Sequence, residues 1–419
     1  MLPARGPASR EFQEAMQPDF YRILRLPPYI FEEVNRLKAQ SRAQGEDIID
    51  FGMGNPDMPT PKHIVDKLIE TARDPRANRY SASRGIKGLR KAMAAYYKRR
   101  FGVTLDPESE VIAALGSKEG FANLAQAITA PGDVVLVPNP AYPIHAFGFI
   151  LAGAAIRHVP ATSPEEYLSR LGNAVRHSVP SPVALVVNYP SNPTAQTVGL
   201  DFYREVVAFA RKHDVLVLSD LAYADIYFND DDPPHSILEI DGAKEIAIEF
   251  QSLSKTYAMP GWRMGFAAGN RRLIAALGRI KSYLDYGAFT PIQVAAAAAL
   301  NGPQDCVAEI RGIYRARRDV LVESMRRAGW DIPPPPASMF AWAPIPPKFQ
   351  AMGSLEFSKR LLVQAKVAVS PGVGFGEYGE GYVRIALVEN EHRIRQAARN
   401  VKRFLALRSN EPAELEAAK

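Results

Sequence analysis

The sequence predicts an α/β protein: a large domain with a mostly parallel central sheet, plus a smaller α+β domain. Three observations carry this reading. Val134–Pro138, Val183–Asn188 and Val215–Asp220 are β-branched runs of five or six residues with little alternation, the pattern of strands buried on both faces of a parallel sheet. An amphipathic pattern from Phe202 to His213 separates two of these runs, so strand, helix and strand succeed one another as in a right-handed βαβ unit. Beyond a proline run at Pro333–Pro336 the pattern changes to shorter strands mixed with helices.

The elements follow in order. Residues 1–20 are polar and without clear periodicity, so a loose N-terminal arm is expected. Tyr29 to Lys38 suits an amphipathic helix, and Asp50–Pro61, with two glycines and three prolines, suits a turn-rich loop. Val111–Leu115, Ile246–Phe250 and Gly265–Ala268 read as further strands of the large sheet. A long helix is expected from about Gln304 to Ala328, because Val307, Ile310, Tyr314, Leu321 and Met325 recur on one face and Gly329 follows. Phe340–Trp342, Val367–Ser370 and Tyr382–Leu387 complete the smaller domain. The expected boundaries are an N-terminal arm and part of the small domain over 1–50, a large domain over 51–300 and the rest of the small domain over 301–419.

Composition narrows the function. With 47% hydrophobic and 23% charged residues in 419, disorder, collagen and coiled coil are excluded for the chain as a whole. No uncharged apolar run approaches the ~18 residues of a membrane span. The single cysteine, Cys306, excludes an intramolecular disulfide and a Cys-rich metal site, and the seven histidines form no ligand-spaced cluster, so no metal is expected. A net charge of +6, spread along the chain, is small for this length and does not call for nucleic acid. No apolar segment follows the two arginines of the first ten residues, so no secretory signal is expected and the cytoplasm is the default location.

Gly374-Phe-Gly376-Glu-Tyr-Gly379 matches G-x-G-x-x-G, but it runs toward a strand instead of opening a helix, and is read as a turn. The informative stretch is Ser252-Leu-Ser254-Lys255-Thr-Tyr-Ala-Met-Pro-Gly261-Trp-Arg263-Met-Gly265. A lysine among small hydroxyls just past an apolar strand is a candidate Schiff-base nucleophile, which needs a neutral amine; burial beside cations supplies one. Taken alone, a lysine near a strand end is more often a solvated surface residue than a nucleophile. Arg263 is placed to hold a phosphate. Asp220 ends an apolar strand at the carboxyl edge of the sheet, where open α/β folds bind ligands, or else caps a helix. Asn188-Tyr-Pro190-Ser-Asn192-Pro193 follows another strand and reads alone as a turn. Gly116-Ser117-Lys118-Glu119 opens a helix after Val111–Leu115, offering a phosphate cradle or a simple serine cap.

A cradle, then an Asn, an Asp and a Lys at successive strand ends, then an Arg, is the order of the fold-type I pyridoxal-phosphate enzymes, and the sequence resembles that family over nearly its full length. The pattern S-x-S-K-x-x-x-x-x-G-W-R-x-G resembles the class I and II aminotransferases. More narrowly, Arg25-Leu-Pro-Pro-Tyr29, Met53-Gly-Asn-Pro-Asp57, Tyr80-Ser-Ala-Ser-Arg-Gly85, Asp220-Leu-Ala-Tyr-Ala-Asp225 and Lys281-Ser-Tyr-Leu-Asp-Tyr-Gly287 resemble the bacterial alanine–glutamate aminotransferases.

The resemblance implies pyridoxal 5'-phosphate as cofactor and a role for each residue. Lys255 would carry the cofactor as a Schiff base and shuttle the substrate proton. Asp220 would hold the ring nitrogen, Asn192 and Tyr223 the ring hydroxyl oxygen, and Tyr142 the ring face. Ser117, Lys118, Ser252, Ser254 and Arg263 would bind the phosphate. Arg384 would clamp the substrate carboxylate, with Asn192 beside it and Gly54 leaving room, and Lys118 is a second candidate, for the distal carboxylate. Tyr80 would reach across to the phosphate of a neighbouring subunit in a homodimer with shared active sites, with Thr290 a weaker candidate for the same task. The implied reaction is transamination, with alanine/pyruvate and glutamate/2-oxoglutarate as the preferred pair, a step of amino acid biosynthesis. The alternatives are an LL-diaminopimelate or aspartate aminotransferase, a C–S lyase, or an aminotransferase-like regulator. The regulator would need a DNA-binding domain, for which the roughly 50 residues before Phe51 are too few.

Overall fold

The computed structural model describes residues 20–28 and 30–407; the expected arm over 1–20 lies outside these except for Phe20, as does Tyr29 at the start of the expected first helix. That helix spans Ile30–Ala43, five residues beyond Lys38, because nothing in the intervening sequence breaks a helix before Gly45 at φ +83°.

A short strand, β1 (Ile49–Asp50), precedes a seven-stranded sheet of β2 (Val111–Ala114), β3 (Val134–Asn139), β4 (Ala155–Pro160), β5 (Pro182–Asn188), β6 (Leu216–Asp220), β7 (Ala247–Ser252) and β8 (Gly265–Gly269). The spatial order is β2-β8-β7-β6-β5-β3-β4. β8 is antiparallel to both its neighbours and every other pair is parallel. The β-branched runs do not alternate with polar residues because both faces are covered. Val111, Leu185, Val187 and Val217 enter one apolar cluster, while Ile112, Val186, Leu218 and Ile248 enter another. The edge strand β4 was not expected: its Arg157 and His158 interrupt the apolar pattern, and most of the strand is only partly covered.

The remaining strands are β9 (Phe340–Pro344), β10 (Val367–Ala368), β11 (Ser370–Pro371) and β12 (Tyr382–Ala386). β11, β12 and β9 form an antiparallel sheet, while β10 pairs in parallel with β1. The helices Asp305–Ala328, Gly353–Ala365 and Glu391–Ala406 contribute Ile310, Tyr314, Leu321, Met325, Phe357, Leu361, Ile394 and Val401 to the cluster around this sheet. The long helix stops at Gly329, which takes the left-handed conformation at φ +94°. Helix Ile30–Ala43 lies against Gly353–Ala365, with Val34, Ile48, Leu362 and Ala368 forming a small cluster between them. Gly374–Gly379 falls in two short 3-10 turns, Gly372–Phe375 and Glu377–Gly379, that lead into β12. Among the described residues no helix is long and apolar enough to cross a membrane.

Because β2 runs parallel to β7, the carboxyl ends of β2, β3, β5, β6 and β7 reach the same edge of the sheet, where β8 begins. The register sets Asn188 opposite Asp220, and both Ala114 and Ser252 opposite Gly265. The loops that carry Ser117, Tyr142, Asn192, Tyr223 and Lys255 therefore leave from one edge.

Candidate active site

A cavity of about 260 Å³ opens at that edge. Gly54, Ser117, Lys118, Tyr142, Asn192, Asp220, Tyr223, Ser252, Ser254, Lys255, Arg263 and Arg384 all line it. Tyr80 and Thr290 do not; Tyr80 is 86% exposed, its ring 4.8 Å from that of Tyr286 on the surface.

At one end of the cavity β2 turns through Gly116, at φ +86°, into the helix Ser117–Ile128. A Cβ at Gly116 would stand 2.3 Å from the Arg263 guanidinium, and one at Gly265 would stand 2.6 Å from the Ser117 nitrogen. Glycine at both places lets β8 and Arg263 close onto the helix start, whose first N–H groups have no intrahelical acceptor. Arg263 sits in the left-handed region at φ +53° and donates through Nη1 to the Pro260 carbonyl at 2.8 Å. Ser252 and Ser254 are buried beside it, the Ser252 hydroxyl accepting the Ser254 N–H at 3.3 Å. Lys118 leans the other way, with Nζ 5.8 Å from the centre of the Tyr142 ring.

In the middle, Asp220 Oδ2 faces Nε2 of the fully buried His145 at 2.9 Å, and Oδ1 accepts the Ala222 N–H at 3.3 Å. His145 Nδ1 is buried with no hydrogen-bond partner among the described residues, so Nε2, aimed at the carboxylate, is the nitrogen through which the ring engages Asp220. Asn188 donates to the Asp220 carbonyl at 2.8 Å and accepts the Asn192 N–H at 2.9 Å, tying the ends of β5 and β6 together. Lys255 lies on the short helix Leu253–Thr256. Desolvation, reinforced by the Arg263 and Arg384 cations and opposed by Asp220, lowers its amine to about 8. Burial pushes the Tyr223 phenol well above its ordinary range, so the hydroxyl stays protonated and able to donate.

At the far end Arg384 is buried. It donates to Asn192 Oδ1 at 2.8 Å and to the Gly52 carbonyl at 3.2 Å, with the Phe340 ring 4.1 Å and the Phe375 ring 4.7 Å from its guanidinium carbon. A Cβ at Gly54 would lie 2.7 Å from the Phe340 ring, so any side chain there would have to displace that buried ring.

Sequence reasoning missed His145, Asn188, Phe340 and Phe375. His145 stands alone in the apolar helix Ile144–Ala152, and the two phenylalanines are ordinary core types, so their only signal is proximity in space. Asn188 lay within a quoted segment, but its bridging role depends on the register of β5 with β6.

The donor set suits pyridoxal 5'-phosphate. It combines a helix start with an arginine and two serines for an anion, a histidine-held carboxylate for a ring nitrogen, and an amine near pKa 8 for an aldehyde.

Comparison with known proteins agrees. The family model "Aminotransferase class I and II" matches residues 46–401. The protein named aminotransferase AatC of Rhizobium meliloti is 68% identical over 93% of this chain and 96% of its own length. Glutamate-pyruvate aminotransferase AlaC of Escherichia coli is 54% identical over 91% and 93% respectively. LL-diaminopimelate aminotransferase of Moorella thermoacetica is 44% identical over 92% and 97%. Among solved structures, substrate-bound BacF of Bacillus subtilis superposes with a TM-score of 0.87 at 34% identity, covering 94% of this chain and all of that one. The chain belongs to the class I and II aminotransferases, the pyridoxal-phosphate-dependent enzymes that move amino groups between amino acids and 2-oxo acids.

Proposed function

We propose that this aminotransferase interconverts alanine and pyruvate with glutamate and 2-oxoglutarate in a ping-pong cycle, as a cytoplasmic homodimer. The observation that carries the reading is the union, in one cavity, of the Lys255 amine near pKa 8, the oriented Arg384 guanidinium and the outward Lys118 ammonium. A donor with one carboxylate needs only Arg384, and a second carboxylate finds a cation in Lys118. The 54% identity to a glutamate-pyruvate aminotransferase supports the same pair.

When bound, pyridoxal phosphate supplies an electrophilic carbon for the amino group and a ring that draws electrons from the substrate Cα. The chain's own residues do the rest. Ser117, Ser252, Ser254, Arg263 and the N–H groups at the helix start would hold the phosphate. Asp220, backed by His145, would hold a proton on the ring nitrogen, and Tyr142 would cover the ring. Asn192 and Tyr223 would donate to the ring oxygen. Arg384 would fix the donor's α-carboxylate bidentately over the Gly54 backbone, leaving the Cα proton for the neutral Lys255 amine to take.

The exposed segment carrying Tyr283, Leu284, Tyr286 and Phe289, with Tyr80 against Tyr286, supports a face covered by a second copy. Tyr80 would then act on the partner's phosphate, with Thr290 a lesser candidate. We assign residues 51–300 to a large cofactor-binding domain, and 1–50 with 301–419 to a smaller one. The apolar cluster around β9 and β12, drawn mostly from residues 301–419, supports that division.

The 44% identity to an LL-diaminopimelate aminotransferase favours a second reading, in which that diamino acid is the donor. Steady-state assays with 2-oxoglutarate as acceptor decide. Pyruvate formed from alanine faster than product from LL-diaminopimelate supports the proposal, and the reverse order overturns it.

A further inference from the structure

Lys281 has no part in the chemistry above, yet it is completely buried. It lies on the helix Arg271–Leu284, which packs against Ser117–Ile128, the helix that opens the cavity. Its ammonium donates to Glu119 Oε1 at 3.0 Å and to Asp285 Oδ2 at 2.8 Å. Glu119 also accepts the Leu115 N–H at 2.8 Å through Oε2, and the side chain of Asn123 donates to its other oxygen. Leu115 directly precedes Gly116 and Ser117, so this carboxylate fixes the turn by which β2 enters the helix. Asp285 accepts the Gly287 N–H at 2.6 Å through Oδ1, and its carbonyl accepts the Ser83 hydroxyl. Ser83 lies in the segment Tyr80–Gly85, and Tyr286 lies between Asp285 and Gly287.

The arrangement poses an electrostatic problem that Lys281 solves. Glu119 occupies the first turn of a helix whose N–H groups and neighbouring Arg263 attract an anion. A bare carboxylate there would repel a phosphate arriving at the same helix start. The buried Lys281 cation, set between two part-buried carboxylates, offsets much of that repulsion and keeps the hydrogen bond to Leu115.

We propose that Lys281 is a positioning residue for the phosphate end of the cavity: it neutralises Glu119 so that Glu119 can pin the Leu115–Ser117 turn, and through Asp285 it fixes that turn to the Tyr80-bearing segment. This rests on the reading of the helix start as the phosphate site. It assigns Lys281, Glu119 and Asp285 a task that the ring and carboxylate ends of the cavity do not share.

The test measures dissociation constants of the full-length protein, stripped of cofactor, for pyridoxal 5'-phosphate and for pyridoxal, which lacks the phosphate. Lys281→Met should weaken pyridoxal 5'-phosphate binding by about tenfold or more, the scale of one charge-assisted hydrogen bond, and change pyridoxal binding by less than about twofold. Removing a fully buried cation from its two part-buried carboxylate partners can also unfold a chain. The same pair of measurements is therefore made on Glu119→Ala, which cuts the tether to Leu115 and leaves Lys281 paired with Asp285; the same phosphate-selective loss is expected. Equal losses for both ligands in the folded variants, or no loss, would overturn the proposal. A wild-type protein that binds pyridoxal as tightly as its phosphate would instead overturn the phosphate site itself.

Discussion

The Lys255 amine gives the account its most exposed quantity. Desolvation in the cavity wall and the Arg263 and Arg384 cations lower it from an ordinary 10.5 to about 8, against the opposing pull of Asp220. At pH 7 an ordinary lysine is neutral in roughly one molecule in 3,000, whereas an amine of pKa 8 is neutral in roughly one in ten. The environment thus raises the reactive fraction about 300-fold before any chemistry begins. The perturbation is pH, applied to protein stripped of cofactor. The assay is the initial rate of acylation of Lys255 by a small amine-directed reagent, read by mass spectrometry of its peptide. The rate should rise through a midpoint near 8 and level off above it. Two variants fix the sign. Asp220→Asn removes the group that favours the ammonium and should move the midpoint down; Arg384→Met removes a cation and should move it up. A midpoint near 10.5, or an upward move with Asp220→Asn, would refute the reasoning.

Three further outcomes follow from the same geometry. Asp220→Ala should lower kcat/KM by roughly 3–4 kcal/mol, the scale of a lost preorganised electrostatic group, with both donors affected alike; steady-state rates within a few-fold of wild type would contradict the role. Lys118→Ala should lower kcat/KM for glutamate by ~1.5–3 kcal/mol more than for alanine, because only glutamate carries a second carboxylate; equal losses would leave Lys118 a phosphate contact. Tyr80→Ala and Lys255→Ala, each inactive alone, should regain activity when mixed under conditions that exchange subunits, since a heterodimer then has one intact site; no recovery would place Tyr80 outside the partner's site.

Much of this was legible in the chain because strand ends and chemistry coincide in a parallel sheet. Runs such as Val183–Asn188 announced strands buried on both faces, and the polar residues that follow them necessarily emerge at one edge. What stayed hidden depends on register and packing. The edge strand β4 is half-covered and mixes charge with apolar residues, so it lacks the signature of its neighbours. The reversed direction of β8 leaves no mark in a five-residue run of glycines, alanines and one phenylalanine. His145 becomes meaningful only when its helix is laid beside the end of β6. Lys281 was quoted as part of a motif, but only the contact between two helices shows what its charge answers.

The central claim is that alanine and glutamate are the natural donors, and the half-reaction tests it without any acceptor. The protein loaded with pyridoxal 5'-phosphate is mixed in separate stopped-flow runs with alanine, glutamate and LL-diaminopimelate, and conversion of the cofactor to its pyridoxamine form is followed by absorbance. The account predicts fast, complete conversion by alanine and by glutamate, each releasing one equivalent of 2-oxo acid, and slower conversion by LL-diaminopimelate. Conversion by LL-diaminopimelate alone, or continued release of 2-oxo acid while the cofactor stays in its pyridoxal form, would contradict it.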